Sequence, residues 1–344
     1  MKLALKEMKK NRGRFVILGS IIFLVSLLTF IISGLANGLS QDNASFIKDL
    51  PDGQFYMSQD AEETYNLSKI SEATQNNVLL NYPGSVAFSI QMGFLNNQDD
   101  KPLSAAFVTT SSSTLFQKVR QGDILLDDSF KEKGIKVGDT LSNEQLPHPL
   151  TVKGFVGQKK FSHSPVAFVN AHDYKRMYGA KEMQTIFIPG NVAAPDVKNL
   201  QAFSNTAFLK AIPSYNAEQM SLTMIIWFLI LISGLLFAIF FYMMNVQKIG
   251  LYGILKAIGI KTRSLFAMIW TQMLVITTIA LLLSAAFSHI FSLLAPAGMP
   301  FYLTIATMAQ LSIVFLVVGL IGATISGFQV KTIDPLQAIQ KGDM

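Results

Sequence analysis

Apolar residues gather into four uncharged runs, Phe15–Ala36, Ser221–Met244, Leu265–Ser288 and Leu303–Phe328, separated by very unequal polar stretches. At about 1.5 Å of rise per residue, each run as a helix crosses a hydrocarbon layer about 30 Å thick. The pattern predicts a membrane protein with four transmembrane α-helices in a one-plus-three arrangement. Between the first and second runs lie about 180 residues with charges, Asn, Pro and Gly throughout. That segment predicts an α+β extracytoplasmic domain inserted between the first and second helices.

Inside the inserted segment, short β-prone runs at Gln54–Ser58, Ser85–Met92, Ala105–Thr110, Leu150–Val156, Val166–Asn170 and Thr185–Ile188 are separated by turn-forming clusters. Asp128–Gly134 and His172–Gly179 read as short helices closed by their glycines. From Val197 to Met220 the pattern turns helical, and Pro213 is expected to kink or break this approach to the second membrane run. The expected organisation is a basic amphipathic leader (1–14), first span (15–36), inserted domain (37–218), second span (219–246), cytoplasmic coupling loop or helix (247–264), third span (265–288), outer loop (289–302), fourth span (303–329) and tail (330–344).

Charge gives this layout a direction. The leader, the 247–264 loop and the tail hold 12 basic residues against only Glu7, Asp334 and Asp343, whereas the inserted segment holds 16 basic and 19 acidic residues. Positive charge collects on the cytoplasmic side of membrane proteins, so both termini and the loop are expected inside the cell, at the plasma membrane. The net charge of +6 is then positive-inside bias and no reason to expect nucleic acid as a partner. The basic leader resembles the start of a signal peptide, but the following run of about 22 residues exceeds a signal core of about 7–15, which predicts a retained helix. Cysteine is absent, so the domain relies on its own apolar core.

Catalytic patterns are missing. His148, His163, His172 and His289 form no standard zinc spacing, and there is no phosphate-binding glycine loop and no nucleophile elbow. The chain is therefore expected to be no enzyme, leaving transport, signalling or scaffolding. The richest remaining feature is QKIGLYGILKAIGIKTRSLF, Gln247–Phe266, in which Ile249, Leu251, Ile254, Leu255, Ile258 and Ile260 alternate with Lys248, Lys256, Lys261 and Arg263. It reads as an amphipathic helix that either anchors the loop at the membrane face or enters a partner's groove. Gly250, Gly253 and Gly259 point to turns at fixed places.

The stretch G-I-L-K-A-I-G at Gly253–Gly259 resembles the signature of FtsX-like, MacB-type membrane subunits of ABC transporters. The ending Asp334-Pro335-Leu336-Gln337-Ala338 is similar to that family's D-P-x-x-A, and Gly134–Asp139 followed by Leu150–Gly154 resembles its outer-domain elements. Where many relatives carry an acidic residue before this core, Leu251 and Tyr252 stand here. Within the family, Met1–Glu7, Ile32–Ala36, Ser214–Gln219, Lys256–Arg263 and Met299–Leu303 resemble haem-exporter permeases. The resemblance implies a homodimer in the lipid bilayer, a separate cytoplasmic ABC ATPase that binds ATP, no intrinsic cofactor and haem as substrate. The coupling residues it implies are Gly253, Leu255, Lys256, Ile258, Gly259, Arg263 and Asp334.

Candidate ligand residues gather where the inserted segment ends. Glu218 begins the second span, and a carboxylate at the hydrocarbon edge is costly unless hydrated, paired or liganded. It is read either as a ligand of haem iron, the only metal contact expected, or as a solvated glutamate at headgroup level. Tyr215, one turn earlier, either ligates or is an ordinary interfacial aromatic. Met220 and Met224 continue the helix as further contacts or as packing residues, and His163 is a loop ligand or simply solvated. Gly34 and Gly38 form G-x-x-x-G in the first span, and Gly319, Ala323 and Gly327 repeat small residues in the last. Either set admits close helix contact, and a dimer contact at Gly34 would frame an outer-leaflet pocket with Glu218. The expected mechanism is lateral entry between the first and second spans, followed by ATP-driven narrowing through the Gly253–Arg263 loop. The alternatives are export of a peptide, lipid or lipoprotein by the same architecture, and transmission of ATPase-driven motion to an outer protein partner without transport.

Overall fold

The computed structural model describes residues 2–190, 196–296 and 299–332. The chain begins with α1 (Lys2–Lys10) and α2 (Arg12–Lys48), followed by β1 (Gly53–Ser58), α3 (Glu72–Asn81), β2 (Val86–Asn96), β3 (Pro102–Thr110) and β4 (Asp123–Asp127). Next come α4 (Ser129–Glu132), β5 (Thr140–Leu141), β6 (Leu150–Val156), β7 (Lys160–Phe161), β8 (Ser164–Val169) and α5 (Ala171–Tyr178). The rest is β9 (Thr185–Pro189), β10 (Leu200–Ser204), α6 (Asn205–Lys210), α7 (Pro213–Val246), α8 (Ile249–Ala257), α9 (Thr262–Leu294) and α10 (Ile305–Thr332). These form two compact units, one of residues up to Gly38 and from Ser221 on, the other Leu39–Met220.

Among the described residues, α2, α7, α9 and α10 of the first unit are the four helices long and apolar enough to cross a membrane, one before the sheet-rich unit in sequence and three after it. Their shared core holds Phe15, Ile22, Phe30, Phe237, Phe241, Met273, Phe315 and Ala323. Small residues set the helix approaches. A methyl group on Gly322 would meet the Ala238 backbone nitrogen of α7 at 3.0 Å, and one on Gly327 would meet the Phe266 ring of α9 at 2.8 Å. Gly319 and Gly327 of the small-residue stripe thus face Met273 and Phe266 of α9 in the same chain, while the neighbouring Gly322 faces α7.

In the second unit, strands pair in the order β10-β1-β9-β2-β3-β8-β4-β6-β5, with β7 added to β8. Pairing is antiparallel except for β3 with β8 and β4 with β6. Alternation along the strands builds a core on each face, as a period of two requires. Phe55, Met57, Phe88, Ala106 and Val108 face Phe46 and Ile47 of α2 and Phe208 of α6. From the intervening positions, Tyr56 and Ala87 pack with Val78 of α3, while Ala105 and Phe107 pack with Tyr174 and Met177 of α5.

All six strands expected from the sequence are present, and Gly134 and Gly179 close their helices with φ of +83° and +61°. Three readings need correction. The segment from Val197 is not helical throughout, because Leu200–Ser204 pairs with β1 over five positions before Ser204 caps α6. Pro213 does break the helical approach, as expected: it is the first residue of α7, where its missing N–H costs nothing, and the gap falls at Ala211 and Ile212. Helix α2 does not stop at Ala36, because Ala44, Phe46 and Ile47 continue as buried positions, with Ala44 (φ −144°, ψ 23°) interrupting the regular turns. Gly250 and Gly253 lie inside α8, and of the three glycines in that segment only Gly259, at φ +92°, makes a turn.

Candidate functional site

Strands β7 and β8 pair Lys160 with Pro165 and Phe161 with Ser164, which leaves Ser162 and His163 as a two-residue turn. Both have positive φ, +47° and +61°. That is the geometry of a tight hairpin turn normally filled by Asn and Gly, and a side chain held there costs about 1–2 kcal/mol. Contacts on either side hold the strained tip. Ser162 N donates to Asn43 O at 2.7 Å, Lys160 N donates to Ser45 Oγ at 2.7 Å, and the hydroxyls of Ser162 and Ser214 are 3.1 Å apart.

The held tip aims the His163 ring between two carboxylates. Nδ1 lies 3.2 Å from Asp42 Oδ2 and Nε2 lies 3.1 Å from Glu218 Oε2. Asn43, fully buried, donates from Nδ2 to the same Glu218 oxygen at 2.8 Å. Asp42 also pairs with Lys160. Each ring nitrogen of His163 therefore faces a carboxylate oxygen able to accept its proton. The Glu218 side chain is 19% exposed, so its carboxylate is neither freely solvated nor sealed off.

Tyr215 belongs to an adjoining group. Its hydroxyl lies 3.0 Å from Ser40 Oγ, and the Lys48 ammonium, which also donates to Ser40, stands 5.5 Å from the ring centroid. Sequence reasoning found Glu218, His163 and Tyr215 but missed Asp42 and Asn43, which carry no motif and lie beyond the expected end of the first span. The signal for them was the Ala44–Ile47 apolar spacing that continues the helix.

Two candidates do not join the cluster. Met220 is two residues from Glu218, about 200° around the helix, and Met220 and Met224 are 67% and 57% exposed on another face. In the helical unit, the close approach at Gly34 and Gly38 is taken up within the chain. A methyl group on Gly34 would meet Phe301 Cζ at 2.5 Å, one on Gly38 would meet the Pro300 carbonyl oxygen at 2.1 Å, and Tyr302 N donates to Gly34 O at 2.8 Å. The G-x-x-x-G face therefore packs against the segment leading into α10.

Between α2 and α7 of the same unit lies an apolar crevice lined by Leu18, Ile22, Val25, Leu236, Phe237 and Phe240. Its cavity volume of about 10 Å³ is far below the ~300 Å³ at which small-molecule pockets begin. A flat macrocycle enters there only if the helices separate.

At the other end of α7, helix α8 buries Tyr252 and Gly253 and exposes Leu251, Ile254 and Ile258. Leu255 packs against the helical core, Lys256 Nζ donates to Lys331 O at 3.1 Å, and Arg263 is exposed after the Gly259 turn. Asp334 and the rest of the 334–338 motif lie outside the described residues.

The family described as FtsX-like permease C-terminal matches residues 223–335. A protein of Staphylococcus haemolyticus named "Putative hemin transport system permease protein HrtB" is 30% identical over 349 residues, covering 98% of this chain and 99% of its own length. One of the same name from Staphylococcus epidermidis is 28% identical over 354 residues, covering 99% and 100%. The sheet-rich unit is similar to the periplasmic region of MacB from Actinobacillus actinomycetemcomitans, at 11% identity and TM-score 0.35, covering 44% of this chain and 88% of that one. The extracellular domain of the noncanonic ABC-type transporter YknZ from Gram-positive bacteria gives 14% identity and TM-score 0.31, covering 41% and 84%. With its three C-terminal membrane helices matched by the family and its whole length matched by a relative at 30% identity, the chain belongs to the FtsX-like permease family.

Proposed function

We propose that this chain is the membrane subunit of an ATP-binding-cassette exporter that removes haem from the plasma membrane, driven by a separate ATPase chain. The carrying observation is the Glu218 carboxylate. Asn43 and His163 engage its Oε2, while among the described residues Oε1 makes no hydrogen bond and is left for a ligand. Carboxylate oxygen is a suitable ligand for ferric iron, and an edge position suits a flat amphiphile arriving from lipid. The hemin-transport name of the full-length relatives supports the same reading.

In this scheme the sheet-rich domain is outside the cell, both termini and α8 are inside, and two copies act with two ATPase subunits. The ATPase hydrolyses the nucleotide, and this chain performs no catalysis. The exposed Leu251, Ile254 and Ile258 of α8 offer an apolar ridge to a groove in the ATPase. Its closure drives the helices and expels haem that entered between α2 and α7. Purified chain titrated with haem should shift the haem absorbance band, and Glu218→Ala should abolish both the shift and protection of cells against haem. Wild-type behaviour of Glu218→Ala in both assays overturns the proposal.

A second reading follows from the Asp42–His163–Glu218 chain itself, which ties three elements of the sheet-rich unit together. Here the cluster is a mechanical rivet that passes ATPase-driven motion to an outer protein partner without transport. In that case Glu218→Gln, which keeps an amide hydrogen bond, restores function without restoring haem binding.

A further inference from the structure

The basic residues around α8 are not equivalent. Lys261 and Arg263 are exposed, as positive-inside charge should be, but Lys248 is only 5% exposed. Its ammonium lies 2.5 Å from Glu7 Oε1, and the Glu7 side chain is itself 10% exposed. The other Glu7 oxygen accepts from Gln272 Nε2 of α9 at 2.7 Å, and the Phe15 ring of α2 lies 5.1 Å from the ammonium. Beside this pair, Tyr252 of α8 donates to Asn245 Oδ1 at 3.0 Å, and Asn245 Nδ2 donates to Ser326 Oγ of α10 at 2.6 Å. Every helix of the unit contributes to the group.

An amphipathic leader that only anchors a chain at a membrane surface needs no buried carboxylate. Apolar residues of similar volume hold helices together as well as a buried ion pair does, so what such a pair adds is one permitted register. Lys248 occupies the N-cap position of α8, and Tyr252 N donates to its carbonyl at 2.9 Å, so its partner fixes the corner between α7 and α8. We infer that the Glu7–Lys248 pair locks α1 to α8 as one rigid lever, making the leader part of the device through which the ATPase moves the membrane helices. Glu7 and Lys248 are positioning residues and touch neither haem nor nucleotide. Force applied to α8 then reaches α9 through Glu7 and Gln272 as well as through the chain. The inference rests on the ABC-exporter reading.

The chain has no cysteine, so Lys9→Cys and Ala257→Cys, both at exposed positions of α1 and α8, accept spin labels cleanly. Full-length chain in nanodiscs, alone and with its ATPase and a non-hydrolysable ATP analogue, should give one narrow label distance that nucleotide leaves unchanged. Lys248→Met should broaden it, and the exchanged pair Glu7→Lys with Lys248→Glu should narrow it again. Haem export should fall about tenfold in Glu7→Gln and in Lys248→Met, with haem affinity unchanged, and recover in the exchanged pair. A wild-type distance that changes with nucleotide, or single variants that keep both distance and export, would overturn the lever. If wild type exports no haem, the functional reading falls, and the label distances in the chain alone decide the lever by themselves.

Discussion

Two buried or half-buried carboxylates, Glu218 and Glu7, stand out at the residue scale, and each is held by a different logic. Glu218 is satisfied on one oxygen only, through Asn43 and His163. His163→Asn keeps a residue that tolerates positive φ and removes the bridging ring, so the hairpin should persist while haem affinity falls about tenfold, roughly 1.4 kcal/mol. Absorbance titration beside circular dichroism checks both halves. Glu7 is paired on both oxygens in a buried setting, so removing its partner strands a charge. Lys248→Met should destabilise the helical unit by about 3–5 kcal/mol, while adding Glu7→Leu should recover most of that loss. Detergent or denaturant unfolding of the two variants measures the difference.

At the element scale, glycines with similar sequence surroundings have opposite roles. A methyl group on Gly250 meets nothing within 4 Å, whereas one on Gly38 meets the Pro300 backbone. Gly250→Ala should therefore stabilise α8 by about 0.5–1 kcal/mol, and Gly38→Ala should cost about 1–3 kcal/mol or displace the segment before α10. Thermal melts of the two variants should move in opposite directions. The four membrane helices were legible because long uncharged runs have few other physical meanings. The strands at Gln54–Ser58 and Leu150–Val156 were legible because turn residues bracket them. Leu200–Ser204 was not, since five residues with two buried positions resemble a helix start as much as a strand. The continuation of α2 to Lys48 was hidden because its apolar positions Ala44, Phe46 and Ile47 face a sheet formed by residues far along the chain.

For the whole molecule, a large sheet-rich unit without cysteine depends on its aromatic core. Burial pushes the hydroxyls of Tyr65 and Tyr174 well above the ordinary tyrosine range, with Tyr65 and Tyr178 adding to the shift at Tyr174. The unfolded chain ionises these groups near pH ~10 while the folded chain keeps them neutral. Their contribution is complete below that pH and lost as pH rises above it, by about 1.4 kcal/mol per pH unit for each tyrosine. Unfolding followed by tyrosinate absorbance should show stability falling from pH ~10 upward and flat just below it.

Glu218, His163 and Tyr215 could be picked out of the sequence one at a time, but their grouping could not. It depends on the Ser162–His163 turn, on Asp42, which meets His163, and on Asn43, which meets Glu218, and these contacts form only after the domain has folded. The family and the one-plus-three layout were readable from end to end, because membrane runs and the Gly253–Gly259 stretch survive without knowledge of tertiary contacts. The packing at Gly34 was hidden for the complementary reason, since the Pro300–Leu303 segment that approaches it is distant in sequence.

Haem export itself gives the most direct test. Proteoliposomes holding this chain with its ATPase, loaded with haem in the membrane and supplied with ATP, should transfer haem to an acceptor protein on the outer-domain side, and Glu218→Ala should reduce that transfer to the rate without ATP. ATP-dependent transfer by Glu218→Ala at the wild-type rate would contradict the account.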